Sequence, residues 1–398
     1  MKPKSQSFLR ELLRNELSKC VKCGSCMAFC PVFRHQTQES STMRGKIALL
    51  QALEEGRELP EAKIAQILSR CLGCLNCKNS CPNGVDVSRL SILARLLLSR
   101  GKFSDWHGAA LDAGYHFRMF RKISLLALPL AIHKEKALGS TKIIKSIFRR
   151  FVDSLSKNDP PNLDLEGKTI VFPGCVLEQN SERLGNLLKV VSALAPGVVI
   201  AKNLGCCATP VLGIPDFSLH SMIVKKLFLN FKRAKPARIL VACPTCLYGF
   251  RYLSFLYDLS PDESRILEIS GDLYSFLSES DWKPKNRISG SYTFHDPCHQ
   301  ARGLGIFSAP RVLLKKALHE TLRESYKEGS CCGFGGIFTI RHPAISAAIR
   351  EQRVEQLLKT GAETTITSCW TCLESLGLPL SQKGAKTLHI LDLLAKVV

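Results

Sequence analysis

Cys20-Val-Lys-Cys23-Gly-Ser-Cys26-Met-Ala-Phe-Cys30-Pro31 and Cys71-Leu-Gly-Cys74-Leu-Asn-Cys77-Lys-Asn-Ser-Cys81-Pro82 are two copies of one pattern, C-x2-C-x2-C-x3-C-P. Three cysteines at that spacing converge on one four-iron, four-sulfur cluster. The fourth, before proline, lies too far round the loop and reaches a second cluster. The spacing assigns Cys20, Cys23, Cys26 and Cys81 to one cluster, and Cys71, Cys74, Cys77 and Cys30 to the other. Gly24 and Gly73 let the backbone turn tightly. Zinc is the alternative for C-x2-C, but it normally takes two such pairs or mixtures with histidine.

The chain has 398 residues and eighteen cysteines, and the other ten also repeat. Cys175, Cys206, Cys207, Cys243 and Cys246 match Cys298, Cys331, Cys332, Cys369 and Cys372 at offsets of 123 to 126 residues. That regularity marks a duplicated module. Five thiolates exceed what tetrahedral zinc or a plain cubane needs. The surplus suits two fused sub-clusters or one iron open to a substrate sulfur. Zinc in either set, or a cubane with one cysteine left over, stays open here.

Disulfides are the other common use of many cysteines. Against them, the vicinal pairs Cys206-Cys207 and Cys331-Cys332 would make strained bridges, and C-x2-C brings thiolates toward one point. Met1 to Lys19 is charged throughout and has no apolar secretory core. A reducing, cytoplasmic location is expected.

The net charge of +21 is densest over residues 95–160, which hold 13 basic against 5 acidic side chains. Such a surface suits nucleic acid, an anionic membrane or an acidic protein. No nucleic-acid motif accompanies it, so no nucleic acid is expected. The run from Phe117 to Leu126 mixes cations with apolar residues. It suits either an anionic membrane surface or a helix packed on the rest of the chain. No apolar run reaches the ~20 residues that span a bilayer. Membrane association is therefore expected to be peripheral, on the cytoplasmic face of the inner membrane.

The expected fold class is α+β multidomain. Residues 1–19 read as helix through Phe8, Leu12, Leu13 and Leu17, and the stretch between the cysteine runs reads as two more helices. A basic helical segment ends at Asn158-Asp-Pro-Pro-Asn162. Beyond it, runs at 168–172, 198–201, 238–242, 291–294 and 364–367 read as strands alternating with helices. All but the second lead into a cysteine. Parallel α/β sheets with cysteines at the carboxyl ends of their strands follow. The expected domains are 1–95 with two [4Fe–4S] clusters, a linker over 96–162, and modules at 163–285 and 286–398.

The spacings C-x30-CC-x35-C-x2-C and C-x32-CC-x36-C-x2-C resemble the cysteine-rich CCG domain. A helical two-cluster ferredoxin domain followed by two CCG domains resembles the iron–sulfur subunits of glycolate oxidase, D-lactate dehydrogenase and anaerobic glycerol-3-phosphate dehydrogenase. It is equally similar to the ferredoxin-fused catalytic subunit of heterodisulfide reductase. Arg44-Gly45-Lys46-Ile47 and Cys331-Cys-Gly-Phe-Gly-Gly336 are similar to the glycolate oxidase and lactate-utilisation branches. The heterodisulfide reductase resemblance implies a noncubane [4Fe–4S] cluster in each five-cysteine set. Complete final pairs, Cys243-Pro-Thr-Cys246 and Cys369-Trp-Thr-Cys372, accord with that type. One departure is Cys206-Cys207-Ala208, where the family usually has glycine. Alanine disfavours positive φ, so this loop is expected to depart from Cys331-Cys332-Gly333.

No G-x-G-x-x-G follows a strand and no G-x4-G-K-[ST] occurs. Oxidation of a hydroxy acid needs a hydride acceptor, which iron–sulfur clusters are not. The resemblance therefore implies an FAD-containing dehydrogenase subunit as partner, with a quinone-linked membrane subunit or other carrier as acceptor. The alternative is catalysis by this chain itself, reducing a disulfide. His295, Asp296 and His299 flank Cys298 as candidate supporting groups, and no catalytic residue is assigned.

Overall fold

The computed structural model describes residues 1–98, 164–213, 217–325 and 331–398. From residue 99 on, the expected basic linker lies outside them, as do its Phe117–Leu126 run and the loop at 158–162.

The N-terminal region is helical, as its periodicity predicts. Gln6–Ser18 is capped by Ser5, whose hydroxyl accepts from the Phe8 amide, and it buries Leu9, Leu13 and Leu17. Met43–Glu54 is capped by Thr42, which accepts from the Gly45 amide at 3.1 Å. Glu61–Ser69 delivers the chain to Cys71, and Val87–Leu98 closes the region.

The C-terminal half forms two parallel sheets. The first contains β2 (Thr169–Phe172), β3 (Val199–Ile200), β4 (Arg238–Val241) and β6 (Ser270–Asp272) in the order β3-β2-β4-β6. The second contains β7 (Tyr292–His295), β8 (Thr364–Thr367) and β9 (Lys386–His389) in sequence order. Thr169 pairs with Arg238 in the first, and Tyr292 with Thr364 in the second. The duplication in cysteines is thus a duplication in strands.

Both faces of the first sheet are covered, as parallel sheets require. Ile170, Phe172, Ile239 and Val241 join a core that continues into Leu9, Leu13, Ile47, Leu90 and Leu93 of the N-terminal helices. Alternate residues Val171 and Leu240 point into a second core shared with Ile366, Trp370 and Leu391. The first module therefore packs on both the helical region and the second module, and the second module also touches the helical region directly, through a cluster of Val32, Leu72, Cys331, Phe338 and Ile349.

A two-residue antiparallel ladder, β1 (Lys2–Pro3) with β5 (Tyr257–Asp258), ties the start of the chain to the first module. Sequence periodicity missed this ladder, β6 and β9. Ser270-Gly-Asp272 has no strand pattern of its own; its pairing to Ile239–Val241 makes it a strand. No helix among the described residues is long and apolar enough to cross a membrane.

Candidate metal centres

All eighteen cysteines are unbridged, and the fold collects them. One hollow is lined by Cys20, Cys23, Cys26, Cys77 and Cys81. A second is lined by Cys30, Cys71, Cys74 and Cys77. The crosswise arrangement has a local cause. Pro31 begins the Pro31–Gln36 helix, with Cys30 as its extended N-cap residue, which ends the cysteine loop. Gly24 and Gly73 are left-handed, at φ +84° and +68°.

The two hollows differ in surroundings. At the first, Cys23 is exposed and Val21 is 64 % exposed. The Ser25 hydroxyl, 3.4 Å from Cys23, holds that thiol below its usual range. The second holds the buried Cys74 and is ringed by cations. The ammonium of Lys46, 2 % exposed, donates to the carbonyls of Ser41 and Arg70 at 2.9 and 2.8 Å. Arg95 donates to the Cys71 carbonyl at 3.3 Å, and Arg302 of the second module to the Cys74 carbonyl at 2.7 Å. Burial pushes the Cys30 thiol up to about 11.

In each module two of the five cysteines stand just beyond the carboxyl ends of strands. Cys175 follows β2 and Cys243 follows β4; Cys298 and Cys369 follow β7 and β8. Cys243 and Cys369 are the N-cap residues of helices Pro244–Leu256 and Trp370–Gln382, and Cys246 and Cys372 sit in the first turns. Helix N-termini favour thiolate over thiol. Thiol contacts run Cys175–Cys206–Cys207–Cys246–Cys243 in the first module. They run Cys298–Cys331–Cys332–Cys372–Cys369 in the second, in the same order. Hydrogen bonds from the thiols on either side pull the central sulfur, Cys207 or Cys332, well below the usual thiol range.

The loop expected to diverge does not. Ala208 adopts φ +57° where Gly333 has +78°. Each donates its amide to the first cysteine of its pair at 3.4 Å, Ala208 to Cys206 and Gly333 to Cys331. Retaining that N–H···S bond offsets the cost of a left-handed alanine, about 1 kcal/mol.

The sites converge. A cavity of about 230 Å³ is lined by Cys71 of the helical region, Cys175 of the first module, and Cys298, Cys331, Cys332, Cys369 and Cys372 of the second. The Cys331 thiol hydrogen-bonds to Cys74, which is the main reason Cys74 is lowered to about 6.

The residues flanking Cys298 separate in role. Asp296 is held by Arg311 through two bonds of 2.8 Å. His299 lines the cavity, stacks on Tyr248 with centroids 4.7 Å apart, and meets the Thr245 hydroxyl at 3.1 Å. Burial lowers its pKa to about 4, keeping it neutral. His295 is buried beside the cysteines. A ring nitrogen and the sulfurs of Cys332 and Cys372 lie within 4.8 Å of one another, and Arg353 donates to its Nδ1 at 3.0 Å. Sequence reasoning missed Lys46, Arg95, Arg302 and Arg353 as parts of the sites. Thr245 had a signal, because Thr371 holds the same place in the second C-x-T-C run.

The donor set fits iron–sulfur clusters. It is sulfur throughout except for His295, gathered into compact groups, with N–H donors and cations around it.

A family model described as a 4Fe-4S dicluster domain matches residues 16–85, and the cysteine-rich domain CCG matches residues 169–251 and 292–377. The chain is 23 % identical to a probable glycolate oxidase iron-sulfur subunit of Bacillus subtilis, covering 99 % of this chain and 97 % of that one. It is 26 % identical to the glycolate oxidase iron-sulfur subunit of Escherichia coli over 91 % and 90 %. It is also 25 % identical to one of the subunits of the fumarate reductase (CoM/CoB) of Methanothermobacter marburgensis over 95 % and 72 %. From the paired cysteine runs to the two repeated modules, the chain belongs to the CCG-domain iron–sulfur proteins and resembles glycolate oxidase iron–sulfur subunits along nearly its whole length.

Proposed function

We propose that this chain is the electron-transfer subunit of a flavin-dependent 2-hydroxyacid dehydrogenase of glycolate or D-lactate type. A partner subunit would hold the FAD and oxidise the hydroxy acid; a quinone or other carrier would accept the electrons. Cys20, Cys23, Cys26 and Cys81 would hold one [4Fe–4S] cluster, and Cys71, Cys74, Cys77 and Cys30 another. The sets Cys175 to Cys246 and Cys298 to Cys372 would each hold a further cluster, with zinc in one of them as the lesser alternative. Bound clusters supply one-electron storage and relay. The proposed domains are 1–95, 96–162, 163–285 and 286–398. The location is cytoplasmic, with the basic segment as the candidate contact to an anionic membrane face.

The observation that carries this reading is the unbroken succession of thiol sites. The second module meets Cys74 through Cys331, the Cys71–Cys77 run meets the Cys20–Cys26 run at Cys77, and Cys23 reaches the surface. The chain's own residues balance the charge of the inner sites with Lys46, Arg95 and Arg302, and they leave the outer site accessible. The test is co-purification with a flavoprotein, then reduction of this chain's visible bands by hydroxy acid plus that partner. A chain that purifies alone and is never reduced by a flavoprotein would refute the reading.

One observation favours a second reading. Cysteines of both modules border one cavity together with His299, Thr245 and Tyr248, which suits reduction of a small disulfide held between them. Disulfide turnover by the isolated chain with a dye donor tests it.

A further inference from the structure

The two modules repeat each other in strands and sulfurs but differ at matching positions near the cysteines. Counting from Cys175 and Cys298, the third residue upstream is Phe172 in the first module and His295 in the second, both 0 % exposed. Phe172 packs against Phe231 and Phe250, with centroids 5.7 and 6.0 Å away. The second module has polar groups there. Arg353, 2 % exposed, donates through Nε to His295 Nδ1 at 3.0 Å and through a terminal nitrogen to Ser325 Oγ at 2.7 Å. Counting from the vicinal pairs, Arg353 stands 21 residues beyond Cys332 and Phe228 stands 21 beyond Cys207. At these two positions, phenylalanines in one copy are an arginine–histidine pair in the other.

A guanidinium has donors only. Because Arg353 donates to Nδ1, the neutral imidazole must carry its proton on Nε2. That nitrogen is buried and has no nitrogen or oxygen partner, and the side chain it faces is Cys332. The nearby acceptors are the sulfurs of Cys332 and Cys372. Burying an arginine is costly unless its donors are used, and here one of them fixes a tautomer.

We propose that His295 is a positioning residue whose Nε2–H donates to the Cys332 sulfur, and that this bond makes the second module's cluster easier to reduce than it would be without it. The inference rests on the reading that the second module holds an iron–sulfur cluster. An N–H donor stabilises the more negative, reduced state. The first module serves the matching sulfur from another position, where the Thr209 hydroxyl donates to Cys207 at 3.3 Å and the second module has Phe334.

The test compares the full chain, reconstituted anaerobically, with His295→Phe and His295→Gln. The measurements are EPR-monitored potentiometric titration and nitrogen hyperfine spectroscopy of wild type carrying 15N-histidine. His295→Phe, which installs the first module's residue, should keep its iron and sulfide. Its reduction equilibrium at one cluster should shift about tenfold, about 59 mV lower for one electron. His295→Gln, which keeps an N–H donor, should recover part of the shift. Wild type should show a weak histidine nitrogen coupling transmitted through sulfur. A strong coupling with iron lost from His295→Phe would make the residue a ligand and overturn the proposal. An absent coupling, or an unchanged potential at full iron content, would overturn it too. Should His295→Phe fail to fold, the wild-type coupling decides alone. Wild-type iron and sulfide sufficient only for the two N-terminal clusters would overturn the underlying reading, a failure distinct from an unmoved potential.

Discussion

Gly333→Ala and Ala208→Gly form a matched pair of substitutions, because the two positions play one part in the two modules. At Gly333 an added Cβ would lie 2.5 Å from the Ser346 carbonyl oxygen and 2.8 Å from the Arg350 amide nitrogen, at φ +78°. Both neighbours are backbone of the Pro343–Leu358 helix, so neither can swing aside. The left-handed alanine costs about 1 kcal/mol, and forcing the helix outward adds about 2 kcal/mol of overpacking. The total is about 3 kcal/mol. It falls beside Cys331 and Cys332, whose sulfurs must stay on their cluster. Ala208→Gly removes backbone strain but frees the unfolded chain and exposes a small void. These terms oppose each other and leave a net change within about 1 kcal/mol. The assay is thermal unfolding of anaerobic protein together with iron retained after gel filtration. Gly333→Ala should melt lower and lose iron from the second module, and Ala208→Gly should match wild type in both. If Gly333→Ala also matches wild type, the close approach of the Ser346 carbonyl does not constrain this loop.

Cys81→Ser should remove iron from the site of Cys20, Cys23 and Cys26 and leave that of Cys71 intact, as read by EPR of the two reduced clusters; the opposite loss would refute the crosswise assignment. Lys46→Met removes a cation next to Cys30 and Cys71 and strands two carbonyls, at a cost of about 1–3 kcal/mol. Potentiometry should show the inner N-terminal cluster becoming harder to reduce. Burial pushes the Asp272 carboxyl up to about 6 from 3.8. Folding therefore favours its protonated form, a contribution fully present below pH about 4 and lost as pH rises through about 6. Asp272→Asn keeps an acceptor for the Ser275 amide, which Asp272 caps at 2.7 Å. The variant should melt above wild type at pH 8 by up to about 3 kcal/mol. That advantage should fade toward pH 4, and a constant difference across the range would count against the assignment.

Much of the architecture is legible from cysteine spacing because metal ligation needs fixed donors at fixed reach. Strands such as Thr169–Phe172 and Arg238–Val241 are legible because both of their faces are apolar or covered. The charged groups around the sites are not. Lys46 and Arg353 lie in helices, where a lone cation reads as a solvent face, and only packing shows Lys46 bridging Ser41 and Arg70. Ala208 misled for a related reason. Intrinsic φ preference is a small energy, and a backbone hydrogen bond to sulfur outweighs it. The ladder of Lys2–Pro3 with Tyr257–Asp258 has no local signal at all, since each partner supplies only two residues.

That ladder bears on how the protein is made. Lys2 emerges from the ribosome long before Asp258, its partner. The N-terminal helices also share their core with strands β2 and β4, which follow much later in synthesis. During translation the Cys71–Cys77 run therefore stands uncovered, open to the machinery that delivers iron and sulfide. Once the second module arrives, Arg302 locks onto the Cys74 carbonyl and covers one side of that run. In this order of synthesis the Cys71–Cys77 run is easiest to load before the second module docks on it.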